Sequence, residues 1–378
     1  MRRKILLICL LLFTICMVGC QKNDKIVATL HGLSVENSPE ENTLALQSLI
    51  DELAEGGGGE IFIPEGEYRF GEGGRQTIGS HCIRMRSNVS IFGEGEGTVL
   101  MPVGRSDYGM DMFYFNDYLD LGEANYLENC RFEGFVIDAG ETECVTYTSA
   151  GKGFMFNLFK NCHWRSVTVK NTVATGFGVD CPIDSSITDC TAIGCGSGAT
   201  AESSGASGFG IGYGYSAEEG IVISGCRAFG NKKFGIFFEH QGRFNSEMYT
   251  AEPEAGFIIT DCVAGENLYD LGGICTAYTA YKSCRSTDPI SSSFYFENSS
   301  EVSVIDSSAS DCPVAIALVG ETGAVTVHSC TFSGVEDYDV MTEGTVTLLS
   351  LTEIQTDLGK RLFLGEITEL IDKENSWN

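Results

Sequence analysis

Residues 259–330 repeat one four-residue phrase: Ile259-Thr-Asp-Cys262, Tyr281-Lys-Ser-Cys284, Val304-Ile-Asp-Ser307 and Val327-His-Ser-Cys330. Each phrase has an apolar residue, a variable residue, a small polar residue and then Cys or Ser. Its last residue recurs after 22, 23 and 23 residues. The phrase also occurs upstream, as Leu127-Glu-Asn-Cys130, Phe159-Lys-Asn-Cys162, Val169-Lys-Asn-Thr172, Ile187-Thr-Asp-Cys190 and Ile223-Ser-Gly-Cys226. A fixed period of this kind indicates stacked repeats that bury their apolar faces against one another.

The phrase is typical of a strand that ends in a polar turn, and its period matches one coil of a broad β-solenoid. We therefore predict an all-β chain folded as a right-handed parallel β-helix. The ten-residue step from Cys162 to Thr172 is too short for a coil, so one of these matches must lie on another face.

Two steps of 36 residues, from Cys190 to Cys226 and from Cys226 to Cys262, exceed one coil. They predict loops inserted near 196–207 and 242–255. Both loops would emerge from the middle of the solenoid, where they would wall a binding cleft.

The chain contains 16 cysteines, a number that in secreted proteins usually indicates a disulfide framework. Seven of them, however, end the repeated phrase. Equivalent residues of successive parallel coils lie about 4.8 Å apart, and such neighbours rarely offer the crossed geometry of a disulfide. We therefore predict a buried ladder of reduced cysteines.

The N-terminus has the pattern of an export signal. Three basic residues precede an apolar run from Ile5 to Val18, which is too short to span a bilayer as a mature helix. The run ends in Met17-Val18-Gly19-Cys20, which resembles the bacterial lipoprotein cleavage box and implies a diacylated Cys20. The alternative is an ordinary signal peptide with an incidental cysteine.

The predicted organisation is a signal peptide over 1–19, a lipidated tether over 20–36 and one β-helix domain over 37–378. We expect an exported protein that is anchored in the membrane through Cys20, at the cell surface or the periplasmic face. No other stretch is long enough to cross a membrane.

The formal net charge is −28, and about −31 after removal of the three N-terminal basic residues. Such acidity argues against a nucleic-acid partner, which needs basic surface. An anionic polysaccharide would need bridging cations or a locally basic groove.

A short helix is predicted after Ser38, which has the features of an N-cap followed by Pro39 and, three residues on, Glu41. Apolar residues follow at helical spacing: Leu46, Leu49, Ile50 and Leu53. This helix would cover the open N-terminal end of the solenoid. At the other end, residues 366–373 predict a short C-terminal helix or cap.

Residues 42–101 contain three further motifs: Asn42-Thr-Leu-Ala-Leu-Gln-Ser-Leu-Ile-Asp51, Gly56-Gly-Gly-Gly-Glu-Ile-Phe-Ile-Pro-Glu-Gly-Glu-Tyr68 and Ser87-Asn-Val-Ser-Ile-Phe-Gly-Glu-Gly95. They resemble the N-terminal part of the pectate-lyase superfamily, which includes polysaccharide lyases, polygalacturonases, phage tailspikes and alginate epimerases. The resemblance implies the β-helix fold and a polysaccharide ligand. It implies no particular reaction, because one scaffold hosts many activities.

Five strands can be aligned by their first residues: Gly178-Val-Asp-Cys-Pro182, Gly210-Ile-Gly-Tyr-Gly-Tyr215, Gly235-Ile-Phe-Phe-Glu-His240, Gly273-Ile-Cys-Thr-Ala277 and Ser293-Phe-Tyr-Phe-Glu297. Their second residues are expected to point inward: Val179, Ile211, Ile236, Ile274 and Phe294. Alternation then places two rows outward. The first row is Asp180, Gly212, Phe237, Cys275 and Tyr295. The second row is Pro182, Gly214, Glu239, Ala277 and Glu297.

This face predicts a polysaccharide site, because rings stack on sugars while charged groups transfer protons and bind uronate carboxylates. The candidate catalytic residues are Asp180, Glu239, His240 and Arg243. The candidate substrate-binding residues are Tyr213, Tyr215, Phe237, Tyr295 and Glu297. In the alternative without a functional role, Glu239 and Glu297 are solvated strand residues and His240 is a loop histidine that caps a turn.

Residues 175–182 and the following coil resemble the active-site coils of alginate (mannuronan) epimerases, as does Phe135-Val-Ile-Asp-Ala-Gly140. Those enzymes carry Tyr-Gly-Phe-Asp-Pro-His and a further Asp one coil later. Here the first Asp is kept as Asp180, whereas Phe177, Pro182 and Gly212 replace the Tyr, the His and the second Asp. None of these three side chains can transfer a proton. The resemblance therefore does not imply the epimerase mechanism for this chain.

The polygalacturonase pattern is also missing, since the chain has no Asp-Asp pair, Gly-His-Gly or Arg-Ile-Lys motif of that kind. Glu239 and Glu297 are expected two coils apart, about 9.6 Å at the backbone, at the upper edge of the separation in inverting glycosidases. No cofactor is indicated, although Asp180 could contribute an oxygen ligand to Ca²⁺.

Two functions remain open: a lyase, epimerase or hydrolase acting on a polysaccharide, and a non-catalytic glycan-binding or adhesin lipoprotein. Local charge distinguishes them. An enzyme for uronates needs Arg243, Lys232 or Lys233 turned into the groove, whereas a binder of neutral glycans needs mainly the aromatic rings.

Overall fold

The computed structural model describes residues 25–116, 125–200, 203–252 and 256–376. They form the predicted parallel β-helix, in which a typical coil contributes three strands, one to each of three faces. Faces 1 and 2 belong to one long sheet and face 3 to a second. The predicted signal peptide and Cys20 lie outside the described residues.

Face 1 contains the strands Ser80–Arg84, Met110–Phe115, Phe154–Lys160, Phe177–Ile183, Phe209–Tyr213, Phe234–His240, Tyr269–Ile274 and Ser292–Glu297. Face 2 contains Ile26–Val27, Gly59–Phe62, Val89–Phe92, Arg131–Glu133, His163–Arg165, Ser185–Thr188, Ile221–Ser224, Phe257–Thr260, Ala277–Lys282 and Ser300–Ile305. Face 3 contains Gly66–Phe70, Thr98–Ser106, Val136–Asp138, Thr168–Lys170, Thr191–Ile193, Arg227–Phe229, Val263–Gly265, Arg285–Thr287, Ser308–Ser310, Thr331–Ser333 and Gln355–Thr356.

In the last coils three long strands run across faces 1 and 2: Val314–His328, Tyr338–Thr352 and Arg361–Lys373. Three short strands lie beside the coils: Gly74–Arg75, Leu127–Glu128 and Glu141–Cys144. The 3₁₀ turns are Ala28–His31, Gly95–Gly97 and Gln241–Arg243. No helix of the described ranges has the length and apolarity needed to cross a membrane.

The turns explain the repeated phrase. Its small polar residue adopts positive φ, as at Asp189 (51°) and Asp261 (55°), a conformation that Asn, Asp and Gly tolerate. The residue that follows then points inward. At the turn between faces 2 and 3 this position is occupied by a ladder of Cys190, Cys226, Cys262, Cys284, Ser307 and Cys330.

The cysteine prediction is confirmed in substance. All five ladder cysteines are buried, and every cysteine of the described residues is a free thiol. The single ladder, however, is wrong. Cys130 and Cys162 stack on each other at the turn between faces 1 and 2, and Thr172 follows a strand of face 3. All three turns use the same chemistry, so the phrase marks three positions of the coil.

The N-terminal cap is confirmed. Helix α1 (Pro39–Glu55) begins at Ser38, whose side chain and Glu41 form a capping box. Its buried face includes Leu46, Leu49 and Ile50.

The predicted C-terminal helix is wrong, because residues 366–373 belong to the strand Arg361–Lys373. Ile367 and Leu370 pair with Val346 and Leu349 of the preceding coil, both of which face the core. The strand turns a corner of the solenoid between them. That corner produces the three-residue apolar spacing of a helix.

Candidate functional site

Face 1 carries the candidate residues, and a stack of core aromatics sets its register. The rings of Phe154, Phe177 and Phe209 stack at centroid distances of 5.3 and 4.5 Å, and Phe209 pairs with Ile236 in the next coil. The outward position three residues further on is then occupied, coil by coil, by Asn157, Asp180, Gly212, Glu239, Ile274 and Glu297. We call this line the carboxylate row.

The predicted alignment is wrong by two residues at Phe234–His240. Glu239 shares a row with Asp180, whereas Phe237 lies in the neighbouring row with Gly210 and Tyr295. Ile274, expected inside, lies beside Glu239 in the carboxylate row and packs against Phe237. A slip of two residues keeps the alternation of faces, so the sequence pattern could not detect the first error.

Asp180 and Glu239 line one cleft of about 260 Å³, which we call the Asp180 cleft. The two predicted loops wall it. Ser204 and Gly205 come from the first loop, while Gln241 and Phe244 come from the second. Both loop predictions are confirmed, since 32 residues separate Phe177 from its partner Phe209 and 35 separate Ile236 from Leu271.

Glycines make room for the side chains above this floor. A β-carbon on Gly212 would lie 2.4 Å from Asp180 Oδ1 and 2.2 Å from Gln241 Nε2. A β-carbon on Gly178 would lie 2.6 Å from Cδ of Lys152, whose chain crosses that position. The glycines therefore leave room that side chains use as they reach in from neighbouring coils and from the loop.

Three cations surround the carboxylates although the chain is strongly acidic. Lys152 lines the Asp180 cleft, and Nε of Arg243 lies 3.5 Å from Glu239 Oε1. Lys233 is half-buried between Glu239, Glu297 and Arg243, and burial followed by the charge of Arg243 lowers its pKa. The two carboxyl groups of this cleft therefore lie close to positive charge.

Burial sets the acidity of the two carboxyl groups. Glu239 is 8% exposed, and burial raises its pKa to about 7 against the opposing charge of Arg243. Burial also raises the pKa of Asp180, opposed by Lys152 and by the Gly212 N–H, which donates to Oδ1 at 2.8 Å. The cleft therefore holds one carboxyl group that titrates near neutral pH.

The imidazole of His240 is hydrogen-bonded to the loop that follows it. Its Nδ1 accepts the N–H of Gly242 at 3.0 Å, and its Nε2 lies 3.0 Å from the carbonyl oxygen of Ala251. The imidazole thus joins both ends of the loop, in the Nε2–H tautomer that these two contacts require. The loop carries Tyr249, whose hydroxyl lies 3.4 Å from Nδ2 of Asn157.

The predicted aromatic residues are divided between three environments. Tyr213, a candidate substrate-binding residue, is fully buried in the core, where it stacks on Phe257. Tyr215 lies in a loop beside Tyr249. Phe237 and Tyr295 do share the outward face.

Tyr295 and Glu297 form a separate group from the Asp180 cleft. The ring of Tyr295 stacks on Tyr269 at 4.0 Å, and its hydroxyl donates to Glu297 Oε2 at 3.2 Å. Ile274 separates Glu297 from Glu239 in the carboxylate row. The structure therefore pairs Glu239 with Asp180 across a glycine.

The sequence analysis missed Lys152, Gln241 and Tyr249. Lys152 precedes a Gly-Phe pair that recurs as Gly153-Phe154, Gly176-Phe177 and Gly208-Phe209. Aligning those pairs would have revealed both the register and the cation. Within the described ranges no three His, Cys, Asp or Glu side chains converge as metal ligands, and a Ca²⁺ ligand role for Asp180 stays a prediction.

No family model matches the sequence. Among curated proteins, mannuronan C5-epimerase AlgE2 of Azotobacter vinelandii is 38% identical over 63 residues, which cover 17% of this chain and 6% of that enzyme. AlgE5 of the same organism matches with the same identity and coverage. The matched segment is thus a small fraction of these relatives.

Solved structures match over nearly the whole chain. The A-module of A. vinelandii mannuronan C-5 epimerase AlgE6 has a TM-score of 0.57 at 14% identity, covering 93% of this chain and 98% of that one. The tailspike of E. coli bacteriophage HK620, in complex with a pentasaccharide, has 0.56 at 13%, covering 93% and 79%. The Streptococcus pneumoniae surface protein and adhesin PfbA has 0.60 at 12%, covering 93% and 98%. The chain accordingly has the right-handed parallel β-helix fold of the pectate-lyase type.

Proposed function

We propose that the Asp180 cleft binds an acidic polysaccharide and that Asp180 and Glu239 transfer protons during hydrolysis of a glycosidic bond. The observation that carries this proposal is the pairing of the two carboxyl groups across Gly212 in one walled cleft. They are two coils apart, about 9.6 Å at the backbone, so modest convergence of the side chains brings them into the range of inverting glycosidases.

The cations support an acidic ligand. Lys152, Lys233 and Arg243 face two carboxyl groups, of which Glu239 has a pKa of about 7. Protonation of Glu239 lowers the negative charge of a partly desolvated cleft, where the cations attract a uronate carboxylate more strongly than in water. Lys233 and Arg243, two of the cations that the sequence analysis named for such a ligand, lie beside Glu239.

The proposal assigns opposite roles to the two carboxyl groups, as acid–base catalysis requires. Glu239, whose pKa burial raises to about 7, would donate a proton to the departing glycosidic oxygen. Asp180, whose Oδ1 accepts the Gly212 N–H, would take a proton from the attacking water. The bond to the leaving sugar breaks as the bond from water to the anomeric carbon forms.

The test is a polysaccharide digest with the full-length chain in mild detergent. We expect new reducing ends without unsaturated uronate, lost in Asp180→Asn and Glu239→Gln. Glu297→Gln is the matched control, because Ile274 separates Glu297 from the cleft, and it should keep its turnover. Unsaturated products would contradict hydrolysis and indicate a lyase.

A second candidate is glycan binding without turnover. It is favoured by Phe177, Pro182 and Gly212 at the positions where the epimerase motif has proton-transferring residues, and by the fold that the chain shares with a surface adhesin. Tight binding of a polymer that is never cleaved, unchanged in Glu239→Gln, would establish this function and exclude the hydrolase.

For localisation, we propose that the chain is exported and held at a membrane by a lipid on Cys20, as the Met17-Val18-Gly19-Cys20 box suggests. Labelled fatty acid should appear in the wild-type protein and be absent from Cys20→Ser. Label retained in that variant would contradict the anchor.

A further inference from the structure

A second and larger cleft lies on face 1 toward the N-terminal coils. Its volume is about 410 Å³, within the range of small-ligand sites. Apolar groups contribute much of its wall: Ile78, Tyr114, Ala150 and Met155. Amides and hydroxyls complete it: Gln76, Asn116, Thr77, Thr148 and Ser149. We call it the Tyr114 cleft.

The charges of the Tyr114 cleft are internally compensated. Among its described lining residues only Asp111 and Lys152 are charged. Asp111 is fully buried, and its carboxylate accepts the N–H groups of Gly151 and Lys152 at 2.8 and 2.7 Å and Nε2 of Gln76 at 2.7 Å. Asp111 therefore has a structural role, since its carboxylate is satisfied by hydrogen bonds within the protein. The remaining surface of the cleft is apolar with neutral polar groups, which suits an uncharged sugar.

The two clefts form one groove. Ser149 and Lys152 line both of them. Tyr114 pairs with Met155, Met155 with Gly178 and Gly178 with Gly210. The centre of the Tyr114 cleft is thus about two and a half coils, or about 12 Å, from the centre of the Asp180 cleft, close to the length of a disaccharide.

We propose that the Tyr114 cleft binds an uncharged sugar of the same chain whose acidic sugar occupies the Asp180 cleft, so that the ligand is a heteropolymer containing both. This inference rests on the proposed function. A homopolymer of uronates would place a carboxylate against Ile78, Met155 and Tyr114, in a cleft whose described lining residues include one cation, the shared Lys152.

The experiment compares affinities of the full-length chain, in detergent, for two kinds of polymer of matched length. Deacylated gellan carries one uronate in every four sugars, so the sugar one disaccharide away from each uronate is uncharged, whereas polymannuronate and polygalacturonate are uronate throughout. We expect at least tenfold tighter binding of gellan. Ile78→Ala should lower that affinity about tenfold and leave homopolymer binding unchanged.

Two variants sharpen the comparison. Ile193→Ala is the matched control, because Ile193 is an exposed isoleucine on face 3, and it should change nothing. Met155→Lys adds a cation to the Tyr114 cleft and should reduce the preference for gellan. Homopolymers bound as tightly as gellan by the wild-type chain would overturn the inference.

Failure of the proposed function has a different outcome. Arg243→Gln removes a cation from the Asp180 cleft alone, and it should weaken binding of every acidic polymer. If acidic polymers bind but Arg243→Gln has no effect, the proposed acidic site is wrong whatever their ranking. Absence of binding by all three polymers would overturn the proposed site and the inference together.

Discussion

Asp180 and Glu239 lie in one outward row of face 1, and only the backbone of Gly212 stands between them. Two residues that are 59 positions apart in the sequence thus lie only two strands apart in the sheet. The missing side chain admits the Asp180 carboxylate and the Gln241 amide to the space above the glycine. This vacancy is the feature on which the proposed chemistry depends.

Filling that vacancy should disable the cleft while sparing the fold. In Gly212→Ala the new methyl group meets Asp180 Oδ1 and Gln241 Nε2, both at the ends of side chains that can move. We expect a stability loss of about 1 kcal/mol and at least a tenfold loss of polysaccharide affinity. Thermal unfolding and calorimetric titration check the two effects.

Gly56→Ala is the control for this substitution, because its nearest neighbours lie at an ordinary 3.4 Å. It should leave affinity unchanged. Full affinity in Gly212→Ala would show that the position of Asp180 is irrelevant to binding.

Binding of an acidic polymer should weaken as pH rises through 7. Below that pH, Glu239 is protonated and adds no negative charge beside Lys233 and Arg243. Above it, ionised Glu239 adds a negative charge beside the ligand, since its pKa is about 7. Titrations between pH 5.5 and pH 8.5 should show the affinity falling by about tenfold, the equivalent of about 1.4 kcal/mol.

Glu239→Gln cannot ionise and should abolish this step, so that its affinity at high pH exceeds that of the wild type. Glu297→Gln should retain the step. A pH-dependent loss that persists in Glu239→Gln would assign the titration to another group.

His240→Ala should release the loop at 241–252. The imidazole joins Gly242 to Ala251 through two hydrogen bonds, each worth about 1 kcal/mol. We expect amide hydrogen exchange in this loop to accelerate by tenfold or more, with little change elsewhere. His163→Ala is the control, because the imidazole of His163 is hydrogen-bonded to the side chains of Ser186 and Asn161, outside this loop. Unchanged exchange would refute the joining role.

Reductant should not destabilise the protein, because every cysteine of the described residues is a free thiol. Of these, only Cys144 and Cys275 are partly exposed, whereas burial raises the pKa of ladder thiols such as Cys284, to about 12. Thiol reagents should therefore modify these two before the ladder cysteines in the native state. A melting temperature lowered by several degrees in dithiothreitol would contradict the reduced ladder.

The sequence predicted the solenoid well because its coils depend on local chemistry. A polar residue that tolerates positive φ, followed by a small residue that points inward, specifies each corner wherever it occurs. Because this chemistry occurs at all three corners, the sequence did not show which corner each phrase marks, as with Cys130 and Cys162. A corner within one strand also gave Ile367 and Leu370 the spacing of a helix.

By itself, the sequence determined the fold class, the capping helix, the two loops and the fact that face 1 carries the carboxylates. Each of these follows from spacing or alternation within short segments. Only the tertiary structure decided that Glu239 stands in line with Asp180 and that Lys152 reaches the cleft between them. The register between strands is set by backbone hydrogen bonds and by the stacking of Phe154, Phe177 and Phe209 in the core. A slip of two residues preserves every inward and outward position, so no pattern within one strand can exclude it.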